Sequence, residues 1–323
     1  MNYIDSYQNR KRFTTREVNV GNCTFGGNNP IRVQSMTTTD TMNTEGTVEQ
    51  SIRMIEKGCE LVRITAPSKK DAENLKLIKA ELVERGYNTP LVADIHFTPN
   101  AAMLAAEYVE KIRVNPGNYA DKKKFEEIEY TDQAYEAELV RIEQKFTPLV
   151  LKCKELGRAI RIGTNHGSLS DRIMSRYGDS PKGMVMSAIE FIDICVANDF
   201  YDIVLSMKAS NALVMVQAYR LLVATMKEKG YNFPLHLGVT EAGDGEDGRV
   251  KSAVGIGTLL LEGLGDTVRV SLTEEPEEEM PVAERLIALC QVENTSDVTA
   301  DSDVYKQHNP YAYNRFKSNT VGI

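Results

Sequence analysis

Four short apolar runs each carry an arginine between apolar neighbours that are mostly β-branched: Val62-Arg63-Ile64, Ile112-Arg113-Val114, Ile160-Arg161-Ile162 and Val268-Arg269-Val270. A fifth run, "IVLSMK", ends in Lys208. Successive side chains of a strand point to opposite faces. If the branched apolar residues pack against helices, the cations all point the other way, into one shared space. Like charges gathered there repel one another and lose hydration, so they require buried acids or a polyanion. Guanidinium forks suit paired phosphate oxygens and an ammonium serves as a point charge, so a diphosphate fits these five positions. The competing reading is a structural ion-pair network in which Asp94, Glu241 and Asp266 neutralise the cations.

Further polar groups sit at the ends of the same runs. Asp94 and His96 in "ADIHF" are two residues apart and share a face, where a carboxylate sets an imidazole's tautomer or the two simply satisfy each other. "VNPGN" and "TNHGSL" place Asn115, Asn118, Asn165, His166 and Ser168 just past two runs, as hydroxyl ligands or as the turn residues that Asn, Pro and Gly make so often. Glu241 in "LHLGVTEAG" ends a run that reads as a buried strand, a costly place for a charge unless cations balance it. The following "EAGDGEDGR" reads as a glycine-rich loop covering the site. His96, His166, His236, Asp94 and Glu241 are metal-ligand types, but no H-x-H or H-E-x-x-H occurs and His236 alternates out of phase with Glu241, so no metal is expected in this chain. The lone G-x-G of "GIGTLLLEGLGDT" lies in a helical stretch and reads as close packing, not as a dinucleotide loop.

The elements that would hold these residues follow from periodicity. "IRVQSM", "LVRIT", "LVADIH", "IRVNPG", "IRIGTN", "IVLSMK", "LHLGVT" and "TVRVSL" alternate with segments of helical period such as "TVEQSIRMIEKGC" and "ALVMVQAYRLLVATMKEKG". Eight strand-helix units in about 260 residues predict a (β/α)8 TIM barrel rather than an open doubly wound sheet. Such barrels carry their active sites at the C-terminal ends of the strands, where the cations and amides fall. "REVNVGNCTFGGNNP" predicts an N-terminal β-hairpin that plugs the opposite mouth, and "KKFEEIEYTDQAYEAELVRIEQKF" an extra charged helix between strands four and five. The barrel domain is expected to span 1–291. The polar, aperiodic 292–323 reads as a linker or the start of a further domain.

The 323 residues carry a formal charge of -8, which argues against a nucleic-acid surface. Five scattered cysteines without C-x-x-C read as reduced thiols. No leader-like h-region opens the chain and no run approaches the roughly 20 apolar residues of a membrane span, so a cytoplasmic protein without membrane contact is expected.

Taken in order, "VQSMT", "LVADIHF", "RVNPGN", "RIGTNHGSL", "SMKAS", "PLHLGVTEAG", "KSAVGIGTLL" and "GDTVRVSL" resemble the 4-hydroxy-3-methylbut-2-enyl diphosphate synthase family, IspG or GcpE, over about residues 15–275. "FEEIEYTDQAY", "KFTPLVLKCKELGRA" and "EAGDGEDGR" are similar to its long, plant-like form. The resemblance implies reductive ring opening of 2-C-methyl-D-erythritol 2,4-cyclodiphosphate in the non-mevalonate isoprenoid pathway. It implies a [4Fe-4S] cluster, and ferredoxin or flavodoxin as electron donor. It makes Arg63, Arg113, Arg161, Lys208 and Arg269 diphosphate ligands assisted by Asn165 and Ser271, with Glu241 as proton donor; Asp94, His96 and Asn115 join them as substrate-binding candidates from their place at the strand ends. The family's cluster ligands, three cysteines and a glutamate on a C-terminal domain with C-P-x-C, match none of Cys23, Cys59, Cys153, Cys195 and Cys290. The expectation is therefore the barrel portion of a longer enzyme, inactive alone, with a homodimer as a candidate assembly. The rival readings are a dihydropteroate-synthase-like barrel, which lacks support from "TEAG" and "NHGSL", and a non-catalytic phosphate-binding barrel.

Overall fold

Alternation of β-branched residues with inward polar ones produces eight parallel strands, seen in a computed structural model that describes residues 2–5, 10–95, 97–119 and 130–290. An antiparallel hairpin, Val18–Val20 (β1) and Cys23–Phe25 (β2), precedes them. The barrel strands are Arg32–Met36 (β3), Leu61–Thr65 (β4), Leu91–Ile95 (β5), Lys111–Val114 (β6), Ala159–Asn165 (β7), Ile203–Lys208 (β8), His236–Leu237 (β9) and Thr267–Val268 (β10). Each pairs with its sequence neighbour from β3 to β8, and β10 lies between β9 and β3. The remaining gap is bridged where Leu205 of β8 meets Leu235 and its N–H donates to the Pro234 carbonyl at 2.9 Å.

The helices form because each segment supplies both an apolar face and its own end signals. Ser68 and Asp71 make a reciprocal capping box at the start of helix Lys69–Glu84. Asn211 accepts from two backbone amides at the start of Ala212–Lys229, which ends at Gly230 in the left-handed conformation, φ 72°. The branched neighbours of the arginines, among them Val62, Ile64, Ile112, Ile160 and Ile162, pack outward into the main core with these helices. Inside, Phe25 of the hairpin meets Leu61, Val92, Ala159 and Val204 in a separate apolar cluster, the plug at the N-terminal mouth. Burying a ring of this size contributes about 1.5–3 kcal/mol.

The extra charged helix expected between strands four and five is present as Asp132–Leu156, after a short helix Pro116–Tyr119; the expected segment's first residues, 123–129, lie outside the described residues. Two sequence expectations change. The seventh strand is shorter than its apolar run and closes at Leu237, well before Glu241. "EAGDGEDGR" is helical from Gly245, in helix Gly245–Ser252, with Glu246 and Asp247 in its first turn and Arg249 and Lys251 in its last. That charge order complements the helix dipole and outweighs the glycines. Residues 292–323, read as a linker, lie outside the described residues. Among the described residues no helix is long and apolar enough to cross a membrane.

Candidate anion-binding site

Register brings the cations together. Asp94 pairs with Arg113 across β5 and β6, and Arg113 with Arg161 across β6 and β7, so three strands present charged groups at one level. The Asp94 carboxylate, 1% exposed, bridges two guanidiniums: Arg63 Nη2 at 3.0 Å and Arg113 Nη1 at 2.8 Å. Arg113 also donates to the Gly163 carbonyl at 3.0 Å. A Cβ on Gly163 would lie 2.6 Å from Arg113 Nε, so this inward glycine clears the guanidinium's path. Gly238 leaves similar room for the Lys208 ammonium, 3.0 Å from where its Cβ would stand.

Arg269 is held differently. Its Nε and Nη2 each lie 3.3 Å from the Glu279 carboxylate, which also accepts from Ser35 Oγ and, at 3.2 Å, from the Leu272 amide. Glu279 opens helix Glu279–Leu289 and is 1% exposed.

Among the described residues Arg161 and Lys208 have no such acid partner. Arg161 is 1% exposed, and its Nε and Nη1 find no hydrogen-bond acceptor among the described residues. Burial, then the fields of Arg63 and Arg113, pushes its guanidinium well below the usual range. Lys208 is buried too, and burial followed by four surrounding arginines pushes its ammonium well down. Arg63 falls to about 10 through burial, partly offset by Asp94. A sixth inward cation, Lys111, lies deeper in the barrel. Among the described residues the carboxylates that meet these six basic side chains are Asp94 and Glu279, so basic groups outnumber acids in the interior. Its natural complement is an anion of high charge.

The other predicted residues fall around this pit or away from it. Asn115 Nδ2 donates to Ser168 Oγ at 2.7 Å, and Ser168 Oγ to the Asn165 carbonyl at 3.2 Å, tying the loops after β6 and β7 together. Those loops touch so closely that a Cβ on Gly117 would stand 1.8 Å from the Ser168 carbonyl oxygen. Asn165 Oδ1 is buried without a partner. His166 Nε2 lies 2.9 Å from Asp179 Oδ1. Ser271 is half-buried just past β10. His96 lies outside the described residues.

Two acids stand elsewhere than expected. Asp266 neutralises none of the five strand cations, because it precedes β10 and sits at the hairpin end. There it pairs with Arg12 at 2.9 Å and accepts from Thr15 at 3.0 Å and the Leu235 amide at 2.9 Å. Glu241 is exposed rather than buried, since the chain leaves β9 four residues earlier. Its backbone is left-handed, φ 52°, a conformation that costs a non-glycine residue about 1 kcal/mol or more and clusters at functional sites.

Glu279, Lys111, Gly163 and Gly238 are site residues that no sequence motif singled out. Lys111 obeys the alternation that selected Arg113 two residues on. Glu279 is one acid in the run "EEPEEE", and nothing local distinguishes it.

Fold and site together define the class: a (β/α)8 barrel whose interior gathers basic side chains from several of its strands. Residues 15–284 match the GcpE TIM-barrel domain, and the chain belongs to that family. It is 58% identical over 317 residues to a 4-hydroxy-3-methylbut-2-en-1-yl diphosphate synthase (flavodoxin) of Leptospira interrogans, covering 98% of this chain and 47% of the relative. It is 60% identical over 288 residues to the chloroplastic ferredoxin form of Arabidopsis thaliana, covering 89% of this chain and 39% of that protein. The chain thus spans about half the length, or less, of these curated relatives. Among solved structures, a Yersinia pestis dihydropteroate synthase superposes with a TM-score of 0.51 at 13% identity, over 85% of this chain and all of the other. A sialic acid synthetase of Leptospira borgpetersenii gives 0.52 at 12%, over 91% and 95%. At such identities the likeness is one of fold.

The described residues do not fit a [4Fe-4S] cluster. No group of three or more His, Cys, Asp or Glu among them is placed to hold a metal, and the five cysteines are buried free thiols.

Proposed function

We propose that this chain is the substrate-binding barrel of an enzyme that opens 2-C-methyl-D-erythritol 2,4-cyclodiphosphate reductively to 4-hydroxy-3-methylbut-2-enyl diphosphate. One observation carries the reading: Arg161 and Lys208 are buried without an acid partner among the described residues, in a family whose curated members bear that enzyme's name. In this reading the two unpaired cations meet the diphosphate charge. Arg63, Arg113 and Arg269, held by Asp94 and Glu279, bind its oxygens in fixed orientation. Asn165 and Ser271 donate to the phosphates, while Asn115 and His96 flank the carbon skeleton.

Glu241, on its left-handed turn, gives a proton to the hydroxyl that departs as water. The two electrons of the reduction come from outside the described residues, which fit no cluster. The curated relatives' names point to flavodoxin or ferredoxin as the donor to the whole enzyme. The barrel unit is assigned to 1–291, with electron delivery belonging to another part of such an enzyme.

Calorimetric titration with the cyclic diphosphate tests the reading. Binding that weakens at least about tenfold in Arg113→Ala and Arg269→Ala supports it, each lost phosphate contact being worth about 1.5–3 kcal/mol. Absence of binding by the folded chain, or indifference to both substitutions, rejects it. In a full-length relative, replacing the glutamate at the position of Glu241 with Gln should lower turnover and leave affinity intact.

A further inference from the structure

β6 turns two side chains into the barrel. Below Arg113, about 7 Å nearer the hairpin plug, lies Lys111. It is fully buried. Its ammonium donates to Gln34 Oε1 of β3 at 3.4 Å, a long contact to a neutral acceptor, and lies 5.0 Å over the Phe25 ring. The charged and titratable groups facing it are Arg161 from β7, Arg63 from β4, the Cys23 thiol from β2 and His236 from β9. None is a carboxylate. His236 is itself pushed well down by burial and then by Arg161 and Lys208, and the Cys23 thiol is pushed up by burial. A buried ammonium with one long bond to a neutral acceptor, one ring contact and two guanidiniums nearby recovers little of its lost hydration. Burial first, and the field of Arg161 second, brings Lys111 down to about 7.

We propose that Lys111 is a proton-linked member of the anion pit, only partly charged near neutral pH while the pit is empty and fully protonated when a polyanion fills it. This rests on the polyanion reading given above. An anion lodged against Arg161 and Arg63 cancels the charges that repel a proton on Lys111. By linkage, a proton there strengthens the hold on the anion. Solvent supplies the proton, and the Nζ lone pair accepts it. Lys111 is a positioning residue: it acts through the field at Arg161, beneath the ligand, and the barrel takes up charge as the ligand enters.

The test uses the chain with 13C-labelled lysines and inorganic pyrophosphate as the probe. The Lys111 Cε resonance is assigned by its loss in Lys111→Met, with Lys111→Gln as the second substitution should the first not fold. Its titration midpoint is expected near neutrality in the ligand-free chain and more than about one pH unit higher with pyrophosphate bound. Calorimetry near pH 8 in buffers of different ionisation enthalpy compares proton uptake per pyrophosphate in the wild type and in Lys111→Met. The wild type should take up about half a proton or more in excess of the uptake by Lys111→Met. That gap should close near pH 6, where Lys111 is already charged. A ligand-free midpoint above about 9, or equal proton uptake by the two proteins near pH 8, overturns the proposal. Failure of pyrophosphate to bind removes the anion pit and this proposal together, whereas binding with an unmoved midpoint removes this proposal alone.

Discussion

Glu279 grips Arg269 with both nitrogens of its fork at 3.3 Å, across the turn between the last strand and the last described helix, with each side chain almost completely withdrawn from water. The same carboxylate reaches Ser35 on the first barrel strand, so one acid fixes an inward arginine and the closure of the barrel beside it. Replacing it with Gln leaves a buried guanidinium without its counter-charge. Glu279→Gln should cost about 3–5 kcal/mol, as broken buried pairs do. Urea denaturation measures it; a loss under about 1 kcal/mol would mean that water reaches the pair.

Arg161 stands in the opposite condition. Buried with two unpartnered nitrogens and other cations around it, it opposes the ligand-free fold. Arg161→Met keeps most of the bulk and removes the charge, so the ligand-free chain should gain about 1–3 kcal/mol. Pyrophosphate should bind Arg161→Met at least about tenfold more weakly, the equivalent of 1.4 kcal/mol. Thermal melts with and without pyrophosphate read both effects. An Arg161→Met chain less stable than the wild type contradicts the functional reading of this charge.

Glu241 occupies a left-handed backbone position, and no described residue donates a compensating hydrogen bond to its carboxylate. Glycine adopts that conformation freely, so Glu241→Gly should stabilise the chain by about 1 kcal/mol. A stability gain at a residue assigned to proton transfer is the pattern expected where strain is retained for chemistry. Unchanged or reduced stability in the melt would show that the turn is not strained.

Stability should depend on pH through Lys111. Its ammonium is brought to about 7 in the fold and titrates near 10.5 when unfolded, so between those values the unfolded chain binds the proton and the folded one does not. Stability therefore rises with pH across that window, at up to about 1.4 kcal/mol per unit for one group. Above about 9 the buried thiols act in reverse: Cys59, raised to about 12 by burial, keeps its proton in the fold and loses it on unfolding. Denaturation midpoints should climb from pH 7 to about 8.5, and Lys111→Met should reduce the slope, leaving the share of Lys208, whose ammonium is pushed down as well. A rise of equal slope in Lys111→Met assigns the effect to other groups.

Much of the fold and of the pit is legible in the chain. Strand alternation is a local property, so the inward direction of Arg63, Arg113, Arg161 and Arg269 follows from their β-branched neighbours, and the barrel from the count of alternating units. The same rule holds for Lys111, although no motif marks it out. The sequence misplaces Glu241 because an apolar run does not announce where its strand stops. "LHLGVT" continues past Leu237 in composition while the strand ladder ends there, and Glu241 then takes a left-handed turn into solvent.

Strand alternation selects which side chains enter the barrel and what charge they bring. Which acids meet them depends on the path of the chain in three dimensions. Asp266 lies three residues before Arg269 yet serves the hairpin end, whereas Glu279 lies ten residues after it and closes on its guanidinium. Pairing depends on depth along the barrel axis, and that depth is set by strand stagger and by the path of the following helix. Neither is written in local spacing, and together they leave Arg161 and Lys208 without an acid partner among the described residues.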